Sequence, residues 1–366
     1  MKFTIQREQL LRTLQLVTGV VERRQTLPVL ANLLIKAADN RLELTGTDLE
    51  VELVGGCEAR VEQPGEVTLP ARKLADIWRS LGDGAEVSIN VEGDRAVVRS
   101  GRSRFTLATL PAADFPKVSA GETDVNITVD QGALKSLIDD VSFAMAQQDV
   151  RYFLNGMLLE VTGEHIRAVA TDGHRLAMCT HEVPSDVATQ VRAIIPRKGV
   201  LEINRLLDGE SETVKLQVGE NHLQVQLGDY TLTSKLVDGS FPDYQKVIPS
   251  DASRAMRADR ETLRLAFQRA AILSNEKYRG VRLTIEGEQL TIQANNPEQE
   301  EAEEVVAVEF GGGELEIGFN VSYLLDVLGV LNTDEVQLSV SDANSSALIE
   351  GVGHDTAVYV VMPMRL

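Results

Sequence analysis

The chain has 366 residues, 43% of them hydrophobic, and a net charge of −19, which provides for packed cores of ordinary domain size and argues against a surface that binds nucleic acid everywhere. Its two cysteines, Cys57 and Cys179, lack metal-ligand spacing and suit a reducing cytosol. Met1 to Gln6 has no apolar signal core and no run approaches membrane-spanning length, so a cytoplasmic protein without a membrane partner is expected.

Leu10, Leu14, Val17 and Val21 form one face of a helix over 7–21. Strand-like runs follow at Val29 to Ala37, Arg41 to Thr45 and Leu49 to Val54, punctuated by Gly55-Gly56 and Pro64-Gly65. A second helix is predicted from Ala71 to Leu81, stopped at Gly82-Asp83-Gly84, and three alternating strands run from Glu86 to Leu110. The pattern then recurs. Leu134, Leu137, Val141 and Met145 make the next helical stripe, and Lys198 to Leu207 the helix after it. Leu263, Ala266, Phe267 and Ala270, then Ser322 to Leu331, complete a third round.

The recurrence has a measurable period. Thr47-Asp48, Thr171-Asp172 and Asn295-Asn296 are each 124 residues apart, and Leu110-Pro111, Leu236-Val237 and Met362-Pro363 each 126. Two independent markers with near-equal spacing indicate three copies of one unit. Each copy is expected to be a domain of two helices and antiparallel sheets, an α+β class, with bounds 1–121, 122–249 and 250–366 and joins near 117–122 and 249–253.

Charge is divided unevenly. Six windows around the predicted helices total +6, leaving −25 on the rest of the chain. Solvated helix faces would explain some of this. The functional reading is a basic surface shared by the helices, which attracts a polyanion to one side.

Catalytic signatures are missing: no P-loop, no dinucleotide glycine motif after a strand, no His-Glu-x-x-His. Gly311-Gly312-Gly313 precedes a strand and reads as a loop. His165, Asp172, His174, Cys179 and His181 fall within 17 residues and offer an acid–base or metal alternative. Their spacing fits no standard zinc pattern, and copies one and three lack the histidine. Asp172-Gly173 is more simply a turn between strands. An enzyme at that turn and an acidic scaffold that never meets DNA are the competing functional readings.

The stretches Thr171-Asp172-Gly173-His174-Arg175-Leu176, Ile195-Pro196-Arg197-Lys198-Gly199-Val200, Lys235-Leu236-Val237-Asp238-Gly239, Ala270 to Lys277, Asn295 to Glu304 and Tyr359 to Leu366 closely resemble the bacterial sliding clamps, the β subunits of DNA polymerase III holoenzymes. The resemblance covers the whole chain. It implies the DNA clamp fold in a head-to-tail ring homodimer of six domains, with helices lining a hole around double-stranded DNA. It also implies a processivity factor with no reaction and no cofactor. By resemblance, Arg24, Arg72, Gln148, Tyr152, Phe153 and Lys198 meet DNA without regard to sequence. Leu154, Thr171, Gly173, His174, Arg175, Leu176, Pro242, Val247, Asn320, Tyr323, Val360, Met362, Pro363, Met364, Arg365 and Leu366 form a groove for a short clamp-binding peptide. The implied partners are the replicative DNA polymerase, the clamp loader, repair polymerases and mismatch-repair proteins. The dimer contact is expected to join Lys73, Arg102, Arg104, Phe105 and Leu107 of one copy to Ile272, Leu273, Glu298, Glu301 and Glu304 of the other. Phe153, Asn344 and Lys246 depart from the familiar pattern, where a tyrosine, an apolar residue and an arginine are usual.

Overall fold

The computed structural model describes the chain except residues 23–26, 117, 119–120, 122, 186, 209–211, 251, 354–355 and 366, and the side chains of 123 and 124. The expected joins lie partly outside the described residues, and Arg24 and Leu366 lie wholly outside them.

Six α-helices occur among the described residues: α1 (Arg7–Val20), α2 (Ala71–Ser80), α3 (Gln131–Val141), α4 (Arg197–Leu206), α5 (Arg260–Ala271) and α6 (Val321–Val330). Each opens where a strand ends, and the chain supplies local caps. The Asp130 carboxylate accepts from the Ala133 amide at 3.1 Å, Asp259 from Thr262 at 2.7 Å and Asn320 from Ser322 at 2.9 Å. In α1, Gln6 and Gln9 close a capping box. Pro70 and Pro196 end the strands before α2 and α4. The helices carry twelve basic and seven acidic side chains, so the positive balance read from the sequence holds on the observed elements.

The chain gathers into two compact units, Met1–Leu134 with Lys198–Leu236 and Lys135–Arg197 with Val237–Leu366. Every strand pair among the described residues is antiparallel. In the first unit a five-stranded sheet runs Arg60–Gln63, Lys2–Gln6, Glu86–Glu92, Arg95–Ser100, Ser103–Ala108. An eight-stranded sheet runs Thr123–Asp130, Thr213–Gly219, His222–Leu227, Tyr230–Lys235, Val51–Glu58, Arg41–Thr47, Asn32–Ala38, Gly65–Pro70. Strand Tyr230–Lys235 of the second repeat therefore pairs with Val51–Glu58 of the first, Leu232 opposite Leu53.

The second unit repeats that junction. Its nine-stranded sheet joins Arg175–Glu182 to Ala357–Val361, Leu176 opposite Val360, so the third repeat is stitched to the second as the second is to the first. A four-stranded sheet, Glu301–Ala307, Gln289–Asn295, Gly280–Glu286 and Leu315–Asn320, completes the unit. Because sheets run across repeat junctions, compactness follows the sheets instead of the sequence period.

Two local expectations change, and one strand pair was not anticipated. Val29 to Ala31 form a 3-10 turn beginning at Pro28, with the strand starting only at Asn32, because proline cannot donate to a ladder. Lys2–Gln6 is a strand whose Phe3 and Ile5 are buried, and Arg60–Gln63 pairs with it. Helix α3 stops at Val141 and a 3-10 turn, Ser142–Ala144, carries the chain to Met145, which is buried as expected.

Buried apolar side chains of helices and sheets form the cores. Trp78 on α2 is fully buried; its indole N–H donates to the Arg7 carbonyl at 3.2 Å, while Arg7 Nε donates to the Trp78 carbonyl at 3.1 Å. The pair locks α1 to α2 and satisfies the indole donor inside the core.

Candidate functional site

The turn Thr171 to Leu176 is built by side chains that replace missing ladder bonds. Thr171 Oγ1 donates to the Arg175 carbonyl at 2.6 Å and accepts from the Gly173 amide at 3.1 Å. Asp172 Oδ1 accepts from the amides of His174 and Arg175 at 2.9 and 3.1 Å. Gly173 sits at φ +90°, and a Cβ there would lie 2.9 Å from Arg151 Nη2. The positive φ is what favours glycine here, since the arginine end could move aside.

Beside this turn lies an apolar cavity of about 190 Å³. Leu154, Thr171, Gly173, Arg175, Leu176, Pro242, Val247, Val360 and Met362, all expected from the resemblance, line it. Arg151 and Tyr244 line it too and were missed by sequence reasoning. Leu154, Leu176, Tyr244 and Val360 belong to one buried cluster with Phe241, so the floor is core and stays formed without a ligand. Val247 and Met362 are 41% and 45% exposed and leave large apolar surface at the rim.

The polar groups around the cavity are held in place. Arg175 donates to Asp172 Oδ2 at 3.2 Å and to the Phe143 carbonyl at 2.9 Å, and pairs with Asp326. Its guanidinium lies over the rings of Tyr323 and Phe143, 4.6 and 5.2 Å from their centroids. The His174 and Tyr323 rings stack at 6.4 Å. Arg151 grips Asp149 through two bonds of 3.0 and 2.9 Å, and that hydrogen bonding holds the Asp149 carboxyl down at about 2. Tyr244 donates its hydroxyl to Glu160 at 3.0 Å and accepts from Arg167 at 3.0 Å. This buried network ties the irregular wall carrying Pro242 and Val247 to the sheet beneath.

The tail leaves the sheet after Val361. The Met362 amide donates to the His174 carbonyl at 3.0 Å, and the Met364 amide to the Gly318 carbonyl at 2.8 Å. Pro363 and Met364 are half-buried and Arg365 is exposed; none of the three lines the cavity. Asn320 acts as the cap of α6, also outside the lining. Lys246 pairs with Asp243 at 2.9 Å, and exposed Asn344 donates its amide to Asp342 at 2.7 Å.

The residues expected at DNA fall into both units. Arg72 is exposed on α2, beside Lys73. Lys198 on α4 is engaged by Val20, Glu22 and Asp48. In the second unit Gln148 is exposed at φ +57°, Tyr152 is 56% exposed, and half-buried Phe153 packs against the cluster under the groove. Phe153 and Tyr152 meet edge to face at 5.8 Å. Phe153 is thus part of the groove's support, which accounts for an apolar ring there.

Of the residues expected at the dimer contact, Arg104, Phe105 and Leu107 lie on one sheet edge and Glu301 and Glu304 on another, while Lys73 is on α2, Arg102 and Glu298 are in the turns before those strands, and Ile272 and Leu273 follow α5. Among the described residues Ser103–Ala108 pairs on one side only, with Arg95–Ser100, and Glu301–Ala307 only with Gln289–Asn295. Arg102 and Arg104 are exposed and Phe105 is half-exposed, while Leu107 is buried within its own chain. Ile272 is 75% exposed and Leu273 half-buried; Glu298 and Glu301 are exposed, and Glu304 pairs with Arg269 at 2.7 Å.

Comparison with known proteins decides the family. Residues 1–119, 128–243 and 245–365 match, in order, the N-terminal, central and C-terminal domains of the DNA polymerase III beta subunit. The chain belongs to the DNA polymerase III beta-subunit family. It is a sliding clamp, a non-catalytic processivity factor of DNA replication. The beta sliding clamps of Pseudomonas aeruginosa and Pseudomonas putida are 58% and 57% identical to it, over the full length of each chain. A solved Pseudomonas aeruginosa sliding clamp bound to griselimycin superposes with a TM-score of 0.97 at 57% identity, covering all of both chains. No helix among the described residues is long and apolar enough to cross a membrane.

Proposed function

We propose that two copies of this clamp close head to tail around duplex DNA in the cytoplasm. In this reading the three repeats, divided near 121 and 249, give six domains. One observation carries it: the two junctions inside the chain use the same strand pairing and leave one edge of each kind unused. Transposing the pairs Tyr230–Gly55 and Arg175–Val361 onto the free edges, through the equivalent hairpins, yields one and the same register. It sets Ser103 opposite Glu304, Arg104 opposite Glu303 and Phe105 opposite Ala302. Unlike edges cannot pair within a two-fold patch, so contact is heterologous and must close or grow. Antiparallel pairing satisfies both edges, and Arg104 meets Glu303.

The groove then takes a short segment, with a glutamine and a few apolar side chains, from the replicative polymerase, the clamp loader, repair polymerases or mismatch-repair proteins. Their common use of one groove makes them competitors. Arg24, Arg72, Gln148, Tyr152, Phe153 and Lys198 serve the DNA, with no base-specific readout. Loading the protein on nicked circular plasmid tests the whole reading. Retention should survive high salt on the circle and vanish when the plasmid is linearised. Equal retention on both forms would overturn the ring.

A further inference from the structure

Lys198 occupies an unexpected position for a phosphate contact. Its ammonium donates to the Val20 carbonyl at 2.9 Å and to Glu22 Oε1 at 3.3 Å, and pairs with Asp48 Oδ2. A lysine has three N–H donors, so these acceptors use them all. The Asp48 side chain is only 4% exposed, whereas that of Glu22 is 55% exposed. Asp48 stands where Asp172 stands in the next repeat and holds the same turn, its Oδ1 accepting from Glu50 and Val51 at 2.9 and 2.7 Å. Its other oxygen is therefore reserved for the lysine. Arg72 and Lys73, by contrast, have no ion pair among the described residues.

We infer that Asp48 competes with DNA phosphate for Lys198 and thereby weakens the clamp's hold on the duplex. This rests on the reading that Lys198 faces DNA. When the ammonium turns to a phosphate, one charge-assisted bond replaces another, and a buried carboxylate is left without its cation. The exchange yields little net attraction, so the lysine returns to Asp48 as the phosphate moves past. A cation that is always re-captured by its own protein neither anchors the ring nor selects a sequence, as sliding requires. Arg72 keeps its full charge for phosphate and contributes the unshared part of the attraction.

The test uses the full-length protein and a short fluorescein-labelled primed duplex at low ionic strength, read by anisotropy. Asp48→Asn keeps an oxygen for the turn and removes the charge. It should tighten binding about fivefold, the scale of one modest ion pair. Glu22→Gln, at an exposed acceptor outside the turn, should tighten it about twofold. In the Lys198→Ala background both gains should disappear. Unchanged affinity in Asp48→Asn, or a gain that survives Lys198→Ala, overturns the inference. Should Asp48→Asn fail to melt cooperatively, Glu22→Gln with and without Lys198→Ala decides by the same criterion. Full affinity in Arg72→Ala, and in Lys198→Ala combined with Asp48→Asn, would instead sink the assignment of this face to DNA.

Discussion

Tyr244 shows what a single residue does for the groove. Its ring closes the floor and its hydroxyl reaches Glu160, whose side chain is 4% exposed and also contacts Arg167 and Arg192. Tyr244→Phe keeps the ring and leaves Glu160 with its arginines. The loss of the hydroxyl's bonds to Glu160 and Arg167 should cost about 1.5–3 kcal/mol by chemical denaturation. Peptide affinity should fall more than that shared stability loss explains, because the wall with Pro242 and Val247 loses its tether. Faster hydrogen exchange at Val247, whose amide donates to the Tyr244 carbonyl at 3.0 Å, would report the loosened wall; unchanged exchange and affinity would remove Tyr244 from the support.

The cysteines make a second residue-scale prediction. Burial, aided by the neighbouring Asp140 carboxylate, pushes the Cys179 thiol up to about 12, and burial pushes Cys57 up to about 11. A raised thiol pKa means little thiolate below those values, and only the thiolate attacks. Native protein at pH 8 should therefore resist a thiol-disulfide reagent at both sites, while unfolded protein reacts at both. Rapid native labelling at Cys179 would contradict its packing. Asp172 Oδ1 accepts from the His174 and Arg175 amides, its Oδ2 pairs with Arg175, and the His174 ring stacks on Tyr323, so among the described residues no hydrogen bond joins the Asp172 carboxylate to the His174 imidazole.

Among elements, the tail is the one with divided duties. Ala357–Val361 is a sheet strand, and its pairing with Arg175–Glu182 joins two repeats. Beyond it, Pro363 ends the ladder, and among the described residues the Met362 and Met364 amides tie the chain to the turn and to Gly318. Deleting residues 362–366 should abolish binding of a clamp-binding peptide by fluorescence anisotropy, because Met362 is part of the lining. Its flexible thioether would suit the proposed sharing of this site by several partners. The dimer and the sheet should persist. Retained affinity would take the tail out of the site, and loss of the dimer would make the tail structural.

The helices illustrate how far element-level reading reaches. Their apolar stripes were legible because the 3.6-residue period survives in a single sequence. The strand Lys2–Gln6 carried an equally regular alternation, with Phe3 and Ile5 inward, but its partners lie about sixty and ninety residues away, and five residues alone do not announce them. Arg151 and Tyr244 carry no local signal for the groove. One is an exposed arginine two residues after an aspartate, the other a tyrosine in an irregular segment.

For the whole molecule, the free edges make the sharpest claim. Ile272→Ala with Leu273→Ala should give folded monomers by sedimentation, since apolar contact outweighs exposed ion pairs worth about 0–1 kcal/mol each. Dimers surviving at low micromolar concentration would refute the assignment. The transposed register adds a charge test. Arg104→Glu should weaken the dimer, and adding Glu303→Arg should restore it; a partner other than Glu303 would leave the double variant as weak as the single one.

The sequence by itself determined the threefold repeat, the α+β class, the helix faces and the turn at Asp172, because each depends on residues close together in the chain or on a period that repeats. The resemblance supplied most of the groove lining for the same reason: its motifs are short and contiguous. Only the tertiary structure decided where the cores divide. Edge strands of neighbouring repeats pair with each other, so compact units cut through the second repeat, and no local pattern records which edge meets which. It also decided the fate of individual charges. Lys198 reads as an open cation until the fold brings Asp48, 150 positions earlier, against its ammonium. Such pairing depends on distance in space, and for a buried carboxylate the desolvation cost makes a partner obligatory.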